Sequence, residues 1–143
     1  MAGSGVLLDT CALIWFANGN RVSETAQARF VQAGLHDGAY VSYISAWEIG
    51  MLSLRRSRSG KPPVCGPDAK TWFRQIMARP GIRQALLTVE IAIDASILPG
   101  DIHGDPADRL MVATARMMDI PLITRDRKLI AYAEQGHVEV IAC

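Results

Sequence analysis

The stretch DIHGDPADRLMVATARMMDIPLITRDRKL, residues 101–129, predicts the fold class of this chain. After a short glycine-containing loop, residues 105–119 have the acidic, proline-containing start and the apolar spacing of an amphipathic helix. Residues 120–124 are a short apolar run typical of a buried strand, and a second helix is predicted from residue 126. A helix, a buried strand and another helix in immediate succession are typical of an α/β domain.

The same alternation continues towards both ends of the chain. Four further strands are predicted at residues 6–10, 39–45, 84–90 and 137–142. Helices are predicted between them at residues 11–18, 23–38, 45–56, 67–79 and 91–98. The Gly- and Pro-rich segment 57–67 is interpreted as a loop inside the domain. We therefore predict one α/β domain over residues 1–143, with a central, mostly parallel sheet of about five strands flanked by helices on both faces.

Composition narrows the class of protein. The chain has 143 residues, of which 50% are hydrophobic, and its formal net charge is +1. This balance argues against a strongly basic protein that wraps nucleic acid. The three cysteines form no CxxC pair, and the sequence contains neither a signal peptide nor an apolar run long enough to span a membrane. We expect a soluble protein of the cytoplasm.

Acidic residues recur where strands end and helices begin. Asp9 ends the first strand, Glu48 follows the second, and Asp126 follows the strand at 120–124. Asp105 and Asp108 begin the helix before that strand. Because the carboxyl ends of parallel strands meet at one edge of a sheet, all five acids are expected there.

Each acid also has a local explanation as a helix cap. Asp9 can cap the following helix, and Ser45 with Glu48 matches the S-x-x-E capping box. Asp105, followed by proline, is a good N-cap, and Asp126 can begin a turn. Taken one at a time, these acids do not distinguish a cap from a functional site.

Taken together, the acids favour a metal site. Four or five carboxylates at one edge of a sheet would repel one another unless a cation neutralised them. An oxygen-only ligand set without Cys or His suits Mg²⁺ or Mn²⁺. The chemistry that such a site favours is metal-assisted hydrolysis of a phosphodiester.

Four segments in order, LLDTCALIW, SAWEIGML, DPADRLMVATA and PLITRDRKL, resemble the PIN domain and in particular the VapC-type toxins of toxin–antitoxin pairs. The resemblance covers nearly the whole chain and implies an endoribonuclease dependent on Mg²⁺ or Mn²⁺. It implies acidic site residues at Asp9, Glu48, Asp108 and Asp126, support from Asp105 at the edge, and an assisting hydroxyl at Thr124. It also implies an RNA substrate, a cognate antitoxin, and a homodimer within a toxin–antitoxin hetero-oligomer.

Two further groups of side chains have both an ordinary and a functional interpretation. Basic residues are either a solvated surface or contacts to the RNA backbone: Arg55, Arg56, Arg58, Lys61, Arg109 and Arg125, with Arg127 and Lys128 beside them. Apolar residues on the helices after the first two strands are either core or the antitoxin-binding surface: Trp15, Phe16, Trp47, Met51 and Leu52.

The sequence also permits other functions. His103 invites a general-base interpretation, although it lies in a loop between glycine-containing turns. An aspartate-phosphorylating phosphatase or receiver domain also places acids at strand ends, but Asp9 lacks the second aspartate two residues on that such phosphatases carry. A domain that only binds RNA or protein would gain nothing from acids where phosphates must lie.

Overall fold

A computed structural model describes residues 4–143 of the chain as alternating strands and helices. Within these residues there are five strands: β1 (Val6–Leu8), β2 (Ala39–Ser42), β3 (Ile82–Ala85), β4 (Leu122–Thr124) and β5 (Val140–Ala142). The helices are α1 (Thr10–Ala17), α2 (Glu24–Leu35), α3 (Tyr43–Arg58), α4 (Ala69–Met77), α5 (Val89–Ser96), α6 (Pro106–Met118) and α7 (Arg127–Ala133). No helix among the described residues has both the length and the apolar character needed to cross a membrane.

The five strands form one parallel sheet with the order β3-β2-β1-β4-β5. Leu7 of β1 pairs with Tyr40 of β2 on one side and with Leu122 of β4 on the other. The chain therefore builds the sheet outwards from β1 in one direction and then returns to build it in the other. In open parallel sheets, binding sites lie beyond the carboxyl ends of the strands at this reversal, here between β1 and β4.

The central strands are buried on both faces, which confirms the predicted architecture. Val6 and Leu8 point into a core filled by α1 to α4, whereas Leu7 and Leu122 point into a second core filled by α5 to α7. These four side chains are fully buried. Because neither face meets water, the strands need no polar alternation, and they occur in the sequence as continuous apolar runs.

The boundary between β2 and α3 differs from the prediction. The strand ends at Ser42 and α3 begins at Tyr43, whereas the sequence predicted a strand as far as residue 45. Ser42 is the N-cap, and its hydroxyl accepts a hydrogen bond of 3.2 Å from the Ile44 amide. Tyr43 and Ile44 have β-forming side chains, but packing determines their conformation: Tyr43 contacts Phe73 edge-on at 5.8 Å, and Ile44 packs into the second core.

The third strand is also displaced from its predicted position at residues 84–90. Pairing with β2 ends where Ser42 lies opposite Ala85, and residues 86–88 form a loop. Thr88 then caps α5 by accepting a hydrogen bond of 3.2 Å from the Ile91 amide. The apolar residues after Ala85 therefore belong to a loop and a helix, because their sheet partner has already ended.

Candidate active site

All five predicted acids lie at the carboxyl edge of the sheet, around one cleft of about 390 Å³. Its lining comprises Asp9, Thr10, Cys11, Trp15, Glu48, Asp105, Asp108, Met111, Arg125 and Asp126. A second groove, of about 370 Å³, contains three of the same acids together with His103, Arg127 and Lys128. The acids come from the ends of β1 and β4, from the start of α6 and, for Glu48, from the interior of α3, so the sheet topology brings them together.

Asp9 is the most buried of the five acids, with 8% of its surface exposed. Its Oδ1 accepts a hydrogen bond of 2.8 Å from the Ala12 amide, so it caps α1 as the local interpretation predicted. Its Oδ2 accepts a hydrogen bond from the Thr124 hydroxyl across the gap between β1 and β4. Asp9 is therefore both a cap and part of the cleft.

Thr124, which is fully buried, connects two of the acids. While its hydroxyl donates to Asp9, the same oxygen accepts a hydrogen bond of 3.0 Å from the Asp126 amide. Asp126 in turn caps α7, with Oδ1 accepting from the Lys128 amide at 2.8 Å. One hydroxyl thus fixes the position of Asp9 relative to the start of α7.

Glu48 is not part of a capping box, and that interpretation was wrong. Because α3 begins at Tyr43, Ser45 and Glu48 both lie inside the helix. The Thr10 hydroxyl donates a hydrogen bond of 2.5 Å to Glu48 Oε1 and lies 3.0 Å from the buried Ser45 hydroxyl. Glu48 is therefore directed towards the start of α1 and the cleft, and not towards the start of its own helix.

Asp105 and Asp108 occupy the start of α6 with different environments. Asp105 is exposed and caps the helix, with Oδ1 accepting a hydrogen bond of 3.0 Å from the Asp108 amide. Asp108 is half-buried, and its Oδ2 lies 2.7 Å from His103 Nε2. Asp105 thus lies at the rim, whereas Asp108 faces the interior of the cleft.

Burial and like charge disfavour ionisation of three of the cleft carboxylates, those of Asp9, Glu48 and Asp108. Burial, reinforced by the charges of Asp108 and Glu48, raises the pKa of Asp9 to about 6, although hydrogen bonds from Thr124 and Ala12 oppose the shift. Burial also raises the pKa of Glu48 and of Asp108, with further upward contributions from neighbouring acids. Over residues 4–143, none of these carboxylates forms a salt bridge with Lys or Arg.

The donor set is suited to a hard cation. All five candidate ligands present carboxylate oxygens, and among the described residues only His103, which contacts Asp108, forms a salt bridge with any of them. In the described part of the chain, no three His, Cys, Asp or Glu side chains stand close enough together to surround a cation in their present rotamers. Hydroxyls of Thr124 and Thr10 and the ring of His103 hold three of the acids instead. The chemistry of the residues therefore suits Mg²⁺ or Mn²⁺, although their present arrangement does not surround a cation.

The basic residues predicted to contact RNA fall into distinct groups. Arg109 donates to the backbone oxygens of Ala95, Ser96, Ile102 and His103, so its hydrogen-bonding capacity is used within the fold. Arg125 lines the cleft, with its guanidinium 3.7 Å above the Trp15 ring and bonded to two backbone oxygens. The others lie at the end of α3 or just after it: Arg55, Arg56, Arg58 and Lys61.

The apolar residues predicted to bind a partner divide between core and surface. Phe16 stacks on Phe30 with ring centroids 4.1 Å apart, and Leu52 packs against the first core. Trp15 is half-buried beneath Arg125. Trp47 and Met51 are 55% and 39% exposed on α3. Tyr43 and Leu54, which the sequence prediction omitted, continue this exposed stripe at helical spacing.

The sequence did not indicate that Thr10 and His103 hold acids, or that Ser45 contacts Thr10. Thr10 directly follows Asp9, so the DT pair was the available signal for it. Ser45 was assigned to a cap that does not form. His103 was considered only as a base, whereas it is bonded to Asp108.

The fold and the site define a parallel α/β domain with an all-carboxylate cleft at the reversal of strand order. A model of the PIN domain family matches residues 6–135, and the chain belongs to this family. The resemblance seen in the sequence is thereby confirmed. The chain is 32% identical over 136 residues to Ribonuclease VapC22 of Mycobacterium tuberculosis, covering 94% of this chain and 97% of that protein.

Solved structures with the same fold are complexes. VapBC2 from Rickettsia felis, bound to a DNA fragment from its promoter, matches with a TM-score of 0.65 and 12% identity, covering 96% of this chain and 98% of that one. DNA-bound VapBC from Salmonella typhimurium matches with a TM-score of 0.61 and 14% identity over 99% and 98% of the two chains. FitAcB from Neisseria gonorrhoeae matches with a TM-score of 0.57 and 18% identity, covering 95% of this chain and 96% of that one. At these identities the likeness establishes the fold.

Proposed function

We propose that this protein is an endoribonuclease toxin that hydrolyses RNA phosphodiester bonds with Mg²⁺ or Mn²⁺ and is neutralised by a cognate antitoxin in the cytoplasm. The observation that carries the proposal is the convergence of five carboxylates, one of them nearly buried, with no Lys or Arg paired to them over residues 4–143. An ionised carboxylate at the position of Asp9 is costly, and a bound cation would compensate its charge. The name of the relative VapC22 supports RNA as the substrate.

Asp9, Glu48, Asp108 and Asp126 would hold the cation, with Asp105 at the rim. When bound, Mg²⁺ or Mn²⁺ would supply Lewis-acid chemistry for phosphodiester hydrolysis. The task of this chain is to fix the carboxylates: the Thr124 hydroxyl orients Asp9, and the Thr10 hydroxyl orients Glu48. Because Asp9 is buried at the end of β1, its position is set by the rigid part of the sheet.

The RNA backbone needs positive charge beside this acidic cleft. Arg127 and Lys128 line the adjoining groove, and Arg125 lines the cleft itself. Arg55 lies two helical turns beyond Glu48 on the same face of α3, roughly 10 Å along the axis. We include these four residues in the proposed RNA surface, with Arg56, Arg58 and Lys61 at its far end. Arg109 is left out, because backbone oxygens occupy its donors.

The test is cleavage of a fluorescently labelled single-stranded RNA by the purified protein, with and without Mn²⁺. Asp9→Asn keeps the size of the side chain and removes a charged ligand, so cleavage should fall by at least about 100-fold. Asp94→Asn on α5, outside the cleft, is the matched control and should cleave as the wild type does. Equal cleavage by the wild type and Asp9→Asn would contradict the proposal. Binding of the RNA without cleavage at any Mn²⁺ concentration would favour the non-catalytic alternative.

The proposed antitoxin contact is the exposed stripe on α3, formed by Tyr43, Trp47, Met51 and Leu54. Aromatic and methionine side chains of this kind anchor an amphipathic partner segment. The stripe lies on the same helix as Glu48, because Trp47 directly precedes Glu48 in α3. Complexes among the structures of the same fold support a protein partner.

We also propose that two copies of the toxin associate within the hetero-oligomer. Val89, Ile93 and Ile97 lie one turn apart on α5 and are each more than half exposed. An apolar stripe of this length is unusual on a surface without a partner. Size-exclusion chromatography with light scattering should give a dimer for the wild type and a monomer for Ile93→Asp. A monomeric wild type would reject this assembly.

A further inference from the structure

The loop that precedes α6 is held in place by side chains of α7 and of the residues that follow it. The Tyr132 hydroxyl donates a hydrogen bond of 2.6 Å to the Pro99 carbonyl. Gln135 holds Asp101 at two points: its Oε1 accepts from the Asp101 amide at 2.9 Å, and its Nε2 donates to the Asp101 carbonyl at 3.1 Å. This pair of bonds fixes the path of the backbone, because it constrains a donor and an acceptor of one residue together.

Gly100 allows this close approach. Its φ is +74°, and a Cβ at this position would lie 2.3 Å from Gln135 Oε1. A side chain would therefore displace Gln135 from Asp101 and would also be strained in the left-handed region. The backbone conformation at Gly100 and the closeness of Gln135 therefore both require a glycine at this position.

The other end of the loop is held from α6. Arg109 Nη1 lies 3.5 Å from the Ile102 carbonyl oxygen and 3.4 Å from that of His103. Its Nε donates a hydrogen bond of 2.8 Å to the Ala95 carbonyl at the end of α5. Residues 99–103 thus form a fixed segment, here named the strap, that connects α5 to α6.

The strap directs one functional side chain towards the cleft. His103 Nε2 lies 2.7 Å from Asp108 Oδ2, and the side chains are 19% and 23% exposed. Because an ionised carboxylate can only accept, Nε2 is the donor. The bond occupies Oδ2 of Asp108 and leaves Oδ1 without a partner in the described residues.

We propose that His103 is a positioning residue that fixes the rotamer of Asp108, so that Oδ1 is presented to a divalent cation. This inference rests on the proposed function, since it assigns a role at the same metal site. A carboxylate on the first turn of a helix can otherwise turn towards solvent or towards backbone amides. Hydrogen bonds to ligating carboxylates orient them, and their loss typically lowers metal affinity by about 10- to 100-fold.

The experiment measures Mn²⁺ affinity by calorimetric titration of the full chain without RNA. His103→Leu removes the donor and should weaken binding by about 10-fold or more. His103→Gln retains an N–H donor that can reach the position of Nε2, and it should restore most of the affinity. His36→Leu, an exposed histidine at the end of α2, is the matched control and should bind as the wild type does.

A second variant tests the strap without touching the acid cleft. Gln135→Met removes both bonds to Asp101 at an exposed position, so the fold should persist while Mn²⁺ affinity falls by less than in His103→Leu. Wild-type affinity in both His103→Leu and Gln135→Met would overturn the inference and leave the proposed function intact. A wild type that binds Mn²⁺ no better than Asp9→Asn would instead count against the proposed function itself.

Discussion

At the scale of single residues, Asp9 has two roles with opposite effects on stability. Asp9 caps α1 through Oδ1, which stabilises the helix, and it also places a negative charge where only 8% of its surface meets water. Thr124 and Ala12 relieve part of the cost by donating hydrogen bonds. The remaining cost is visible in the pKa of about 6, well above that of an exposed aspartate. The residue therefore favours a bound cation and disfavours the empty, ionised site.

The first prediction concerns the stability of the metal-free protein with Asp9→Asn. The folded-state pKa of Asp9 is raised from 3.8 to about 6, so the native state retains a proton that the unfolded state has lost in this interval. The free energy of unfolding should therefore fall as pH rises from about 4 to above 6. Asparagine has no such titration. The variant should be more stable than the wild type at pH 7.5, by on the order of 1 kcal/mol or more, and the difference should shrink towards pH 4.

Chemical denaturation in EDTA at the two pH values measures this difference. Saturating Mn²⁺ should reverse the order at pH 7.5, because binding stabilises the wild type by mass action. A variant that is less stable than the wild type at pH 7.5 without metal would mean that the lost bond to Thr124 outweighs the relieved charge.

The second prediction tests whether Glu48 acts in the site or only supports the fold. Because Glu48 lies inside α3 and accepts from Thr10, Glu48→Gln can keep that hydrogen bond while it removes a charge. The thermal midpoint without metal should hold or rise, since repulsion from Asp108 and Asp105 is relieved. RNA cleavage should drop sharply. Thermal denaturation and cleavage assays on the same preparation test both statements, and a lower midpoint with full activity would mean that Glu48 supports the fold and not the site.

At the scale of elements, three helices begin at the cleft with an aspartate N-cap. Asp9 begins α1, Asp105 begins α6 and Asp126 begins α7. The helix N-terminus satisfies one carboxylate oxygen and favours its charge, so each acid is held in place by its own element. A helix N-terminus can therefore both stabilise an acid and place it at a site. For the same reason, these acids resemble ordinary N-caps in the sequence.

The third prediction tests the two tasks of Asp126 separately. Asp126→Asn retains a cap for the amides of Lys128 and Leu129, so stability should change by only a few tenths of a kcal/mol. Asp126→Ala removes the cap and should cost about 1 kcal/mol. Both variants should lose cleavage activity to a similar extent. Urea denaturation gives the stability, and full activity in Asp126→Asn would show that the residue is only a cap.

At the scale of the whole molecule, the surface carries two local features, an acidic cleft and an apolar stripe, that the net charge of +1 does not indicate. The acidic cleft lies between α1, α3, α6 and α7, and α3 also carries the exposed apolar stripe. Because α3 contributes to both, we propose that a partner bound along this helix also reaches the acids. This proximity gives a physical route to inhibition of the proposed nuclease.

The fourth prediction concerns that inhibition. We expect an arginine of the antitoxin to reach Asp9, Glu48, Asp108 and Asp126, because its guanidinium can pair with carboxylates and exclude a cation. Excess Mn²⁺ should then partly restore cleavage by the purified complex. Inhibition that is indifferent both to Mn²⁺ and to removal of that arginine would reject this mechanism.

The apolar half of the same contact is tested with Trp47→Ala. Antitoxin affinity should fall by about 10-fold or more, because exposed aromatic anchors carry much of the binding energy at interfaces. Val31→Ala on α2 removes a comparably exposed apolar side chain away from the cleft and serves as the control. Surface plasmon resonance gives both affinities, and equal losses in the two variants would mean that the stripe is not the docking site.

The sequence by itself determined the α/β class, the number of strands and the candidate acids. These features depend on neighbours a few residues apart: apolar runs, caps such as Ser23 and Asp105, and the proline that begins α6. Such patterns can be recognised from the sequence alone, because the hydrogen bonds and the burial that they predict lie within one helix or strand.

Only the tertiary structure decided which partners the supporting residues have. Thr10 meets Glu48 across 38 residues of sequence, and Thr124 meets Asp9 across 115. The start of α3 depends on packing of Tyr43 against Phe73, and this shift removes Glu48 from a capping box. Likewise Arg109 and Arg125 are equivalent in a sequence, yet one holds backbone oxygens of the strap and the other lines the cleft. Partners this far apart are brought together by the order of strands in the sheet, and no local periodicity contains that order.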